Sequence, residues 1–161
     1  MAQLTYGYTT SKGTAGSLLD TGYHNVASRA NGEATADTLK FGMGVTQGST
    51  PGVNVQVPVS GDTADKFEGI TVSGVTEMDM EGNVKITPYA TVGVMTWGKI
   101  WARVETGLTI AYGDPVYLIN SGTNAGMFTN VSGGIAIKGR FISAADNANI
   151  APIELFNQAQ S

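Results

Sequence analysis

The chain has no cysteine, and only 14% of its 161 residues are charged. The first absence excludes disulfides and thiolate metal sites, so stability is expected from packing or assembly. The second lies well below the ~25% of an ordinary soluble domain. The nine Lys and Arg are scattered singly and the net charge is −4, so the basic stripe that nucleic acid demands is missing. No apolar run approaches the ~18 residues of a membrane helix. The start, MAQLTYGYTTSKG, has neither the charged nor the apolar part of a signal peptide. The expectation is a soluble protein made in a cytoplasm, with neither nucleic acid nor membrane as a partner.

Chemistry is as scarce as charge. The single histidine, His24, sits between Tyr23 and Asn25 and offers no metal spacing. Carboxylates gather twice, as Asp62, Asp65 and Glu68 and as Glu77, Asp79 and Glu81. EMDMEGN matches no calcium-loop spacing, and a charged hairpin edge that resists edge-to-edge pairing explains it as well. No Trp/His-lined cleft accompanies either group to make a glycosidase pair. GMGVTQGSTPG and VSGGIAIKG lack the Gly-Lys-Ser/Thr ending and the following helix of a phosphate loop. Asn130-Val131-Ser132 is a glycosylation sequon, meaningful only in a secreted protein. No catalytic, metal or cofactor-binding set emerges, so the expectation is a non-enzymatic protein that works through its surface.

What the chain does have is glycine, 22 residues of it, among Thr, Val and Ala, which reads as all-β with many turns. The period is two in Val53, Val55, Val57 and Val59, although Pro58 cannot join a ladder and so marks an edge or an end. Further short strands are expected at Leu39–Val45, Gly69–Val75, Val84–Thr87, Val116–Ile119, Gly126–Thr129, Gly134–Lys138, Arg140–Ser143 and Ala151–Phe156. Ala90–Thr96 and Lys99–Glu105 flank Trp97-Gly98, a pattern that predicts a tight hairpin. In the second of these strands Ile100, Ala102 and Val104 share the core face and Trp101, Arg103 and Glu105 the other. About ten short, evenly spaced strands point to a small closed or nearly closed barrel.

Residues 1–30 differ from the domain at 31–161. They are polar, with isolated apolar anchors at Leu4, Tyr6, Tyr8, Leu18, Leu19 and Tyr23. Such a segment is either an extended arm lying on its own domain or a neighbour's, or a partly disordered terminus. These anchors and Trp101 are the candidate partner-binding residues. Trp101, with Trp97 and Tyr112 nearby, suits an interface anchor, or else a second layer covered by the arm.

The order of the motifs carries a resemblance. Phe67-Glu68-Gly69-Ile70-Thr71-Val72 precedes Gly98–Glu105, then the GDPVY of Gly113–Tyr117, the GMFTN of Gly126–Asn130 and the closing APIEL of Ala151–Leu155. Over residues 38–156 this series resembles the structural cement (capsid decoration) proteins of tailed bacteriophages. The resemblance implies a β-barrel or β-tulip-like domain, often a homotrimer, on the exterior of the capsid head. It also implies the major capsid protein as partner, with head stabilisation as the function. An alternative is a virion-surface module that recognises glycans or a host surface through exposed aromatics.

Overall fold

The computed structural model describes residues 13–74, 77–78 and 80–157. Among these described residues eleven strands run in chain order: β1 (Asn25–Asn31), β2 (Gly44–Gln47), β3 (Asn54–Gln56), β4 (Phe67–Val72), β5 (Glu77–Met78), β6 (Val84–Lys85), β7 (Thr91–Arg103), β8 (Pro115–Leu118), β9 (Phe128–Thr129), β10 (Ile135–Phe141) and β11 (Ile150–Leu155). Among the described residues the only helical element is one 3-10 turn, Ala64–Lys66. The all-β expectation holds, and so does the barrel.

Strands β1, β3, β2, β4 and the first half of β7 close into a five-stranded barrel, because β7 pairs with both β4 and β1. Within it, β1 and β3 run parallel and the other neighbours antiparallel. Its interior holds Leu39, Val45, Val55, Ile86, Val92 and Val94. The second half of β7 continues into a separate curled sheet, through β11, β10, β8 and β9. A parallel bridge between Val104 and Phe128 brings β9 back to the residue after β7. Inside this curl lies the larger core, which includes Ile100, Ala102, Val104, Leu118, Phe128, Phe141 and Ile153.

Strand β7 is therefore the spine of the molecule, and here the expected hairpin is corrected. Thr91 to Arg103 is one strand of 13 residues. At Gly98 it changes partners: Trp97 and the residues before it face β1, while Gly98 to Arg103 face β11. Gly98 adopts φ 130, which an L side chain rarely does, and a Cβ there would lie 2.6 Å from the Cβ of His24. A Trp-Gly pair reads locally as a turn, but strands on both sides hold this one extended. Ile100, Ala102 and Val104 are all buried, as their alternation predicted.

Two smaller differences follow from long-range pairing. Gly134–Lys138 and Arg140–Ser143 merge into β10, with a register irregularity between Ile137 and Arg140 that absorbs the misfit. Asn25–Asn31, all but its last residue expected within the arm, is a strand from its first residue. Its two Asn and two Ala are poor strand formers, and β7 and β3 impose the conformation.

Candidate interaction surface

The second half of β7 would be an open edge if β11 were its only partner. The N-terminal segment fills that edge. Gly16 N–H donates to the Trp101 carbonyl at 2.7 Å, Trp101 N–H to Ser17 O at 2.9 Å, and Leu19 N–H to Lys99 O at 3.1 Å. Leu18 bridges Ile100. Farther out, Asp20 meets the Lys99 ammonium at 3.0 Å; that hydrogen bond, then the Gly22 amide, holds the carboxyl below its usual pKa.

Trp101, read either as an interface anchor or as a layer covered by the arm, lies beneath this segment and is only 7% exposed. Gly13 sits so close over the indole that a Cβ would collide with it. Of the other candidate anchors, Leu18 is partly exposed, Leu19 is half-buried beside β7, and Tyr23 projects from the body at 95% exposure. Trp97 stands partly exposed opposite Asn25. Leu4, Tyr6 and Tyr8 lie outside the described residues. His24 uses Nδ1 to reach the Gly22 carbonyl at 2.8 Å, a local turn contact.

Sequence reasoning missed a second aromatic feature. The Arg140 guanidinium lies 5.1 Å from the Tyr112 ring centre and 5.9 Å from that of Phe156. Its Nε donates to Glu154 at 2.7 Å, the chief cause of its raised pKa. Three distant stretches of chain meet here, with Tyr112 largely and Phe156 partly exposed. Nothing local in the sequence announces such a stack; the pairing of β10 with β11 brings Phe156 near Arg140, and the Gly113 amide, donating to Phe141 O at 2.8 Å, brings Tyr112.

The first carboxylate group is committed to structure. Asp62 is buried and accepts from the Thr46 hydroxyl at 2.8 Å, the Val59 amide at 3.0 Å and Lys66 at 3.2 Å. Burial alone would raise its pKa, but these donors together pull it below the ordinary carboxylate value. Asp65 accepts from the Thr63 hydroxyl, and Glu68 pairs with Arg29 at 3.3 Å. Asp79 lies outside the described residues. Among the described residues no group of three His, Cys, Asp or Glu is arranged to hold a metal. The Asn130 amide of the sequon donates to Thr109 O and to Asp114, so it braces the turn before β8.

This geometry builds surfaces around two packed cores, and comparison with known proteins says to what end. The family described as "Structural cement protein (E217 gp24/Pam3 gp6)", a phage family, matches residues 2–156. The chain belongs to this structural cement family. It is a phage structural protein. A chain in the solved structure titled "The capsid of Myoviridae Phage XM1" shares the fold, with a TM-score of 0.67 at 20% identity, covering 98% of this chain and 99% of that one. No curated protein matches the sequence. The cement family match spans the barrel and the curled sheet alike.

Proposed function

We propose that this cement protein binds the outside of the mature phage head, contacts the major capsid protein as a homotrimer and stabilises the joints between capsid subunits without catalysis. The observation that carries this reading is the family match over residues 2–156. A double-cored scaffold with Asp62 and Glu68 tied into its own contacts agrees with it. Binding that favours the expanded shell over its precursor would stabilise the former by about 4 kcal/mol per site at a thousandfold excess over Kd. Repeated over many sites, such a clamp resists the pressure of packaged DNA.

Leu4, Tyr6, Tyr8 and Tyr23 are the residues we assign to contact with neighbouring subunits, adding avidity to a weak single contact. Removing residues 2–23 would also strip Gly16–Leu19 from β7, so the arm is tested by removing 2–12 alone. Glycan recognition, the other reading, has one fewer exposed aromatic to use with Trp101 buried, while Trp97 and Tyr112 stay accessible.

The decisive experiment strips the protein from heads, measures the temperature of DNA release and adds it back. Release should occur at a lower temperature in stripped heads and recover on rebinding, and sedimentation should give the trimer. An unchanged release temperature, with no rebinding, would refute the proposal.

A further inference from the structure

Where the barrel meets the curled sheet, the chain leaves a cleft of about 330 Å³. The loop after β1 supplies Asp37 and Lys40, the end of β7 supplies Arg103, and the turn before β9 supplies Thr123; Met43 and Met127 form apolar walls. Arg103 also lines an adjoining cleft of about 180 Å³, together with Asp37 and Lys40. The guanidinium is fixed, because its Nε donates to the Phe41 carbonyl at 2.8 Å while the Arg103 backbone N–H donates to Gly42 O at 2.8 Å. Its two terminal nitrogens have no partner among the described residues. They present a fork of donors, the arrangement that matches a carboxylate with two parallel hydrogen bonds. Lys40 adds a second positive charge, only loosely met by Asp37 at 3.9 Å.

Two cations against one carboxylate make this a local positive site in a chain of net charge −4. Its methionine walls favour a ligand with a hydrocarbon stem over a bare ion. We propose that the cleft is a carboxylate-binding site that receives an Asp or Glu side chain from a neighbouring capsid protein. The identity of the partner rests on the capsid-binding reading above; the chemistry of the site rests on the cleft itself. An acidic side chain seated between Arg103 and Lys40 would fix the orientation of the whole molecule, since the two halves meet there.

The test has two arms. In the first, the full-length protein is titrated with the blocked tripeptide acetyl-Ala-Glu-Ala-amide, its Gln counterpart and inorganic phosphate, and NMR follows the Arg103 Nε–H and the Thr123 amide. The Glu peptide should produce saturable shifts that weaken at least roughly fivefold with the Gln peptide and vanish in Arg103→Gln. The exposed Lys40→Gln serves if Arg103→Gln does not fold, and it should weaken the same shifts. No shift with the Glu peptide overturns the proposal. Shifts with phosphate alone also overturn it, in favour of a free-anion site. In the second arm, attachment to stripped heads should fall about tenfold in Lys40→Gln, with a flatter salt dependence. Attachment of Lys40→Gln and Arg103→Gln equal to that of the parent overturns the proposal. If the parent itself does not attach while the peptide shifts persist, the capsid reading fails and the carboxylate site stands.

Discussion

The two halves of this molecule are closed by different means. The barrel is closed by its ladder: five strands pair in a ring, around six buried apolar residues. The curled sheet is closed by packing: its ring is joined through the Val104–Phe128 bridge, yet it encloses most of a sixteen-residue core. A complete ring of hydrogen bonds removes edges and lets a small core suffice. A ring with a thin seam needs apolar burial to hold it shut. Because β7 belongs to both, neither half can lose its spine without the other.

The sharpest way to break this comparison is Phe128→Ala, which removes a fully buried ring at the seam itself. It should cost about 4 kcal/mol, read as a drop in the denaturation midpoint. If the shared spine makes one cooperative unit, hydrogen exchange should quicken in the barrel as well as in β8 and β9. Unchanged protection in β1 and β4 would show that the halves open separately. Trp101→Ala comes next, at roughly 3 kcal/mol, because the indole holds the N-terminal segment over the edge of β7. Its loss should speed exchange at the Gly16 and Leu19 amides first. On the barrel side Ile86→Val should cost only about 1 kcal/mol, since the ring of strands survives it. A larger loss there would mean that the barrel too depends on packing.

Much of the core was legible in the sequence and much of the path was not. Ile100, Ala102 and Val104 declare their face because alternation is a local property. The Gly113-Asp114-Pro115 turn is local as well: Asp114 accepts from the Ala111 amide at 2.9 Å, and β8 begins at Pro115. The spine was hidden because Gly98 can serve a turn or a bend, and only the strands beside it decide which. Strand β1 was hidden because its conformation comes from distant partners. Of the candidate surface, Tyr23 is exposed, while Trp101 could not be placed without knowing what Gly13 covers. Lys40 and Arg103 meet only after both halves have formed, so their cleft has no signature in the sequence.

The smallest expected effect concerns acid. Asp62 ties the loop before β4 to β2 through Thr46, and its folded pKa lies below the model-peptide value of 3.8. A depressed carboxyl contributes stability that is complete above the unfolded value and is lost as pH falls through the folded one. The barrel should therefore keep its melting temperature down to about pH 4 and soften below it. Asp62→Asn should flatten that acid limb, and an unaltered limb would place the acid sensitivity elsewhere.

The crowding of partners around Ile100 has a kinetic consequence. This residue meets Leu18 from the start of the chain on one side and Ile153 from its end on the other. Contacts so far apart in sequence make folding slow, in the range of milliseconds to seconds. They also postpone it until the last strand has left the ribosome. A copy that lacks β11 thus has an unfinished spine, with Gly98 to Arg103 left without their partner.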